Sequence, residues 1–266
     1  NDDALNELQR MLNEMLSGQT SSGGIDPAAL AKAAGLSGDP AALQGLFATL
    51  QQAMQNPSNE IDWSVTRRIA IDVASQGAPA ADPAAAQRAF PLAALWLDEA
   101  TEVGTTSDAP RTLTRVEWVQ QTIDTWIGLS EPVAESITRA LTDAISSQLP
   151  EQFGDAFGGL APMLRSVAGA LFATQLGQVI GKLASEVAAG GDVGIPLFEG
   201  QGREGGALIP SGVSAFADGL EQDAEAVTLY LAVRELAHAR LFRHTRWLRL
   251  HLISAVTDYA RGMSID

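Results

Sequence analysis

The chain has 266 residues with 17 basic and 32 acidic side chains, a net charge of −15, three histidines and no cysteine. That length can bury a sizeable core without staples, and the lack of cysteine excludes disulfides, thiolate metal sites and thiol nucleophiles. The acidic balance argues against nucleic acid as a partner, because nothing offsets phosphate repulsion globally.

Periodicity predicts a mainly α protein. Residues 3–16 read as an amphipathic N-terminal helix (1–18), with Leu5, Leu8, Met11, Leu12 and Met15 at helical spacing. A Ser/Thr/Gly linker follows, and residues 19–60 form a small helical segment whose helices open at Asp26-Pro27 and Asp39-Pro40. Residues 61–266 form the main core, to be extended beyond Asp266 if the chain is truncated at its C-terminus. Helices are expected over 62–75 and 82–103, the second with a kink or junction at Phe90-Pro91, then over 113–128 and 131–148, divided before Pro132. Trp63, Trp96, Trp118 and Trp126 are the expected core anchors.

The next helix, 162–189, carries small residues at every fourth position: Gly169, Ala173, Gly177, Gly181, Ser185 and Ala189. Such a row lets another backbone approach closely. Gly177 and Gly181 also make a G-x-x-x-G, but Gln175, Gln178, Lys182 and Glu186 argue against a membrane helix. No run of about 18 uncharged apolar residues and no N-terminal signal pattern occurs. The expectation is a cytoplasmic protein that does not associate with membranes. Asp192–Phe198 and Ala207–Pro210, on either side of a Gly-rich loop, predict one small β-hairpin. From Asp223 a helical run continues to Gly262, too long for one globular helix, with a break expected near His244-Thr245-Arg246.

All three histidines, His238, His244 and His251, flank that break. The run Arg234-Glu235-Leu236-Ala237-His238 is H-E-x-x-H with arginine in place of the first histidine. In the intact motif two imidazoles one helical turn apart hold zinc, and the glutamate between them activates bound water. An arginine is always cationic and cannot ligate a metal. Glu235 is therefore the candidate catalytic base and His238 a candidate metal ligand. His244, about 120° from His238 on an ideal helix, would join it only if the chain turned after Phe242. A longer motif class recruits a ligand six residues on, but through a glycine where this chain has Leu241. Packing histidines and a Glu235 paired with an arginine are the plainer reading.

Six of the 17 basic residues, Arg234, Arg240, Arg243, Arg246, Arg249 and Arg261, crowd into this C-terminal stretch. Arg234 is a candidate replacement for the metal's charge. Arg243, Arg246 and Arg249, spaced i,i+3, form a candidate anion-binding strip, with intramolecular ion pairs as the alternative. No nucleophile-elbow, phosphate-loop or dinucleotide motif is present.

The stretch Tyr230–Leu250, with Arg-Glu-Leu-Ala-His and Trp247-Leu248-Arg249, resembles an actinobacterial zincin-like family described as zinc-dependent metalloproteases or hydrolases. The blocks Gln178–Glu186, Asp192–Leu197 and Leu208-Ile209-Pro210 resemble that family in the same order. The resemblance covers about residues 60–266 and implies a helical zincin-like core and a metallopeptidase or hydrolase activity with zinc as cofactor. The arginine at the first ligand position predicts a degenerate, inactive centre that holds no zinc tightly. The alternative is a non-catalytic helical scaffold that binds a protein or peptide of unidentified kind.

Overall fold

A computed structural model describes residues 60–77, 81–148, 154–198 and 204–261. The helices expected before residue 60 lie outside the described residues. The described residues form seven α-helices and one two-stranded sheet, in the order α1 (Trp63–Ser75), α2 (Ala84–Ala100), β1 (Arg111–Thr112), α3 (Arg115–Gln148), α4 (Gly154–Glu186), β2 (Ala207–Leu208), α5 (Pro210–Ala217), α6 (Ala224–His244) and α7 (Arg246–Arg261). The mainly α class is as expected. No described helix is long and apolar enough to cross a membrane.

Local chemistry fixes several boundaries. Thr114 and Glu117 open α3 with a reciprocal capping box, the Thr114 N–H donating to the Glu117 carboxylate at 2.7 Å and the Glu117 N–H to the Thr114 hydroxyl at 3.2 Å. The Asp223 carboxylate accepts from the Glu225 N–H and so starts α6. Helix α6 ends at Thr245, whose non-helical backbone separates it from α7 at the expected break. Pro91 sits inside the single helix α2. One boundary differs: α3 continues through Pro132 without dividing. Burial of Leu129, Ala134 and Thr138 keeps that stretch in helical register, and tertiary packing outweighs the proline's lost hydrogen bond.

The expected hairpin does not form. Asp192–Phe198 is turn and irregular chain, and β2 pairs instead with β1, in parallel, with Arg111 opposite Ala207 and Thr112 opposite Leu208. Leu208 also bridges antiparallel to Ala189. A two-residue strand presents no alternation for the sequence to reveal, and its partner lies almost a hundred residues away.

The described residues fall into two compact units. In the first, built from 60–66 and the described part of 134–178, the Trp63 ring meets Phe172 edge-on at 6.3 Å and the Thr66 hydroxyl donates to the Ala173 carbonyl at 2.9 Å. A Cβ on Gly169 would lie 3.1 Å from Ile61. In the second, from 67–133 and 179–261, the core joins Ala89, Phe90, Ala93 and Leu97 of α2 to Val227, Leu231, Ala232 and Leu236 of α6, closed by Ala188, Ala189, Leu208 and Val213. Trp118 is fully buried, whereas Trp96 is 50% exposed and does not anchor the core as expected.

The small-residue row of α4 does accept a close neighbour. At Gly181 an added Cβ would meet Val73 Cβ at 2.5 Å and the Ala70 carbonyl oxygen at 2.9 Å. Gly181→Leu therefore overpacks against backbone, and a destabilisation of about 1–3 kcal/mol is expected in chemical denaturation. A variant that unfolds at the same urea midpoint as the parent would show that α1 and α4 yield freely.

Candidate active site

Helix α6 carries Arg234, Glu235 and His238, and Leu231, Ala232 and Leu236 pin it in the core shared with α2. Opposite it stand the turn after α4 and the entry to β2. The Gly190 N–H donates to the Ala207 carbonyl at 2.8 Å, and the Ile209 N–H to the Ala188 carbonyl at 2.8 Å, so turn and strand form one backbone wall. Glycine lets this wall approach the helix. A Cβ on Gly191 would fall 2.5 Å from His238 Nδ1 and 2.8 Å from a Glu235 carboxylate oxygen. Gly206, just before β2, has φ +83, a conformation that side chains disfavour.

Glu235 is buried. One carboxylate oxygen accepts from the Gly191 N–H at 2.8 Å and the other from the Ala207 N–H at 2.9 Å. Burial, the largest influence, pushes its pKa above the ordinary carboxylate range, against the two hydrogen bonds from Ala207 and Gly191 and the charges of Arg234 and Arg111. His238 is held below its ordinary pKa, first by burial and then by the Arg234 charge, so the ring is neutral at neutral pH. Its ring packs edge-on against Phe242 at 4.7 Å. Nε2 is shielded from solvent and has no hydrogen-bond partner among the described residues.

Arg234 turns to Asp192 and forms an ion pair with one of its oxygens. The other Asp192 oxygen accepts from the Ala188 N–H at 2.6 Å and the Ala189 N–H at 2.9 Å, two groups just past the end of α4. Asp192 thus anchors both the turn and the arginine at the first ligand position. The sequence reading missed this role, although the run Gly190-Gly191-Asp192 offered a signal: two glycines admitting side chains, followed by an acid.

The remaining candidates divide. His244 Nε2 is 3.1 Å from the Gly104 carbonyl, in the loop after α2, and the residue does not line the cavity that holds His238. Its ring is not brought to His238 because only Thr245 lies outside helical geometry, and the turn follows His244 instead of preceding it. Arg243 pairs with Glu204 at 2.7 Å. Arg240, buried, pairs with Asp98 at 2.8 Å and donates to the Val103 and Ala94 carbonyls. Arg246 and Arg249 line the same cavity as Glu235 and His238.

A zinc ion generally needs three protein donors in tetrahedral array. Among the described residues, no three histidine or acidic side chains converge. His238 is the single imidazole at the cavity, both Glu235 oxygens are engaged by backbone donors, and Asp192 is engaged by Arg234. This donor set does not fit zinc.

The helix presenting Glu235 and His238 to the cleft keeps the second half of the H-E-x-x-H pattern of zinc metalloproteases. The family model for zincin-like metallopeptidases matches residues 61–266, and the chain belongs to that family. No curated protein and no solved structure matches it.

Proposed function

We propose that this member of the family binds a ligand in the cleft over Glu235 and His238 without hydrolysing it. The observation that carries the reading is the engagement of Glu235. A general base must reach a water, whereas this carboxylate is buried and each oxygen holds a backbone N–H. It ties α6 to the turn and to β2. The ion pair of Arg234 with Asp192 supplies positive charge beside Glu235 where the intact motif would have a metal ligand. The metallopeptidase reading, with Glu235 as base and His238 as a ligand, is favoured by the family membership and requires further donors from outside the described residues.

Metal content and Arg234→His separate the two. The dialysed parent should hold far less than one zinc per chain and should leave a mixed-sequence peptide pool intact. Arg234→His restores the two-imidazole spacing and releases Asp192, so zinc should raise its melting temperature by several degrees at about 100 times Kd. One zinc per chain in the dialysed parent, or zinc-dependent cleavage, would overturn the proposal.

A further inference from the structure

The cleft has a volume of about 430 Å3, within the range of small-molecule sites. Its apolar lining comes from two sides: Pro196, Leu197 and Phe198 after the turn, and Ala239, Phe242 and Leu250 from α6 and α7. The Phe198 side is fixed by the Thr125 hydroxyl, which donates to the Leu197 carbonyl at 2.8 Å, and by the Arg111 guanidinium 5.1 Å from the Phe198 ring centre.

The charges in the cavity are unequal. Among the described lining residues both acids are committed, Glu204 to Arg243 and Glu235 to backbone donors. Among the described lining residues the arginines are Arg246 and Arg249, one turn apart on α7 and on one face, and Arg249 already has an interaction of its own. Arg246 forms no ion pair among the described residues. In a chain of net charge −15, a cavity with a cationic margin is a local reversal of the field and attracts anions. His238 adds a polar atom, Nε2, that lacks a protein partner among the described residues.

The geometry points to an apolar monocarboxylate as the ligand: an alkyl or aryl body held between Phe198 and Phe242, and a carboxylate taken by Arg246, with the charge of Arg249 one turn further along α7. This inference rests on the binding reading above. Guanidinium groups match a carboxylate's planar geometry, and an imidazole N–H from His238 offers a further donor. The apolar walls exclude small inorganic anions as preferred ligands, since phosphate would leave that surface uncovered.

Titration calorimetry with octanoate and 4-phenylbutyrate, each against its primary amide and against inorganic phosphate, tests the assignment. At least one acid should bind with Kd below about 1 mM, while its amide and phosphate bind at least about tenfold more weakly, as expected when charge-assisted hydrogen bonds are lost. Arg246→Gln combined with Arg249→Gln should weaken the acid by a similar factor, whereas Arg88→Gln, paired with Glu225 away from this cavity, should not. An amide that binds as well as its acid, or no binding by either acid at millimolar concentration, would overturn the inference. The acid and amide comparison uses the unaltered protein, so it stands whether or not the double variant folds. Zinc or cleavage in the parent would instead sink the binding reading itself.

Discussion

Glu235→Ala should lower the unfolding free energy by about 3–5 kcal/mol, the cost of removing one partner from a buried charged network. Two N–H groups, those of Gly191 and Ala207, lose their acceptor at once, in a site where water has little access. The Arg234 charge loses its buried neighbour as well. Glu235→Gln keeps the shape but turns an amide NH2 toward one of the two backbone donors, so about 1–3 kcal/mol should still be lost. The dependence on pH has a definite sign. With its folded pKa raised above the ordinary 4.5, Glu235 holds its proton more tightly in the folded state. The parent therefore gains stability from this group as pH falls from the raised value toward 4.5, and the alanine variant does not. His238 acts oppositely in both proteins, removing stability as pH falls below its ordinary 6.5 toward its lowered folded pKa. Urea midpoints measured between pH 5 and 7 should show the deficit of Glu235→Ala growing toward pH 5. A variant as stable as the parent at every pH would mean that Glu235 is not a strut, and its freedom to act as a base would be restored.

What could be read from the sequence and what could not follow from the range of the forces involved. Helical periodicity is local, so α1, α2, α6 and α7 and the break at Thr245 were legible from residues a turn apart. The undivided α3 was not, because Pro132 signals a break locally while the burial of Leu129, Ala134 and Thr138 is decided by the whole fold. Nor was the β1–β2 pairing, which rests on backbone bonds such as those from the Arg111 N–H to the Gly206 carbonyl and from the Leu113 N–H to the Leu208 carbonyl. At the site, the motif spacing placed Glu235 and His238 together on one helix face. It could not reveal that Asp192, 42 residues before Arg234, would claim that arginine, or that Gly191 and Ala207 would claim the carboxylate. Such contacts exist only when turn, strand and helix are assembled. Within the arginine cluster, Arg234, Arg240 and Arg243 form ion pairs with Asp192, Asp98 and Glu204, and Arg246 and Arg249 line the cavity.

Gly212→Val should be the most damaging single change outside the helix α6 site. Gly212 lies in the first turn of α5, where an added Cβ would be 2.0 Å from the Val187 carbonyl oxygen and 2.9 Å from Ala188 Cα. Both neighbours are backbone, so no side chain can rotate away. The strain should cost about 1–3 kcal/mol or more, the usual range for overpacking. Its consequence reaches the site through a short chain of hydrogen bonds. The Val187–Ala189 segment receives the Ile209 N–H at the Ala188 carbonyl and donates the Ala188 and Ala189 N–H groups to Asp192. Moving it displaces Asp192 from Arg234 and the Gly191 N–H from Glu235. The variant should therefore lose carboxylate binding more completely than its loss of stability alone implies. Amide exchange of Gly191 and Ala207, followed by NMR under conditions where the variant is still folded, should accelerate well beyond that of amides in α2. Exchange that quickens equally throughout the molecule would show a general loss of stability and would break the proposed link between the α5 contact and the site.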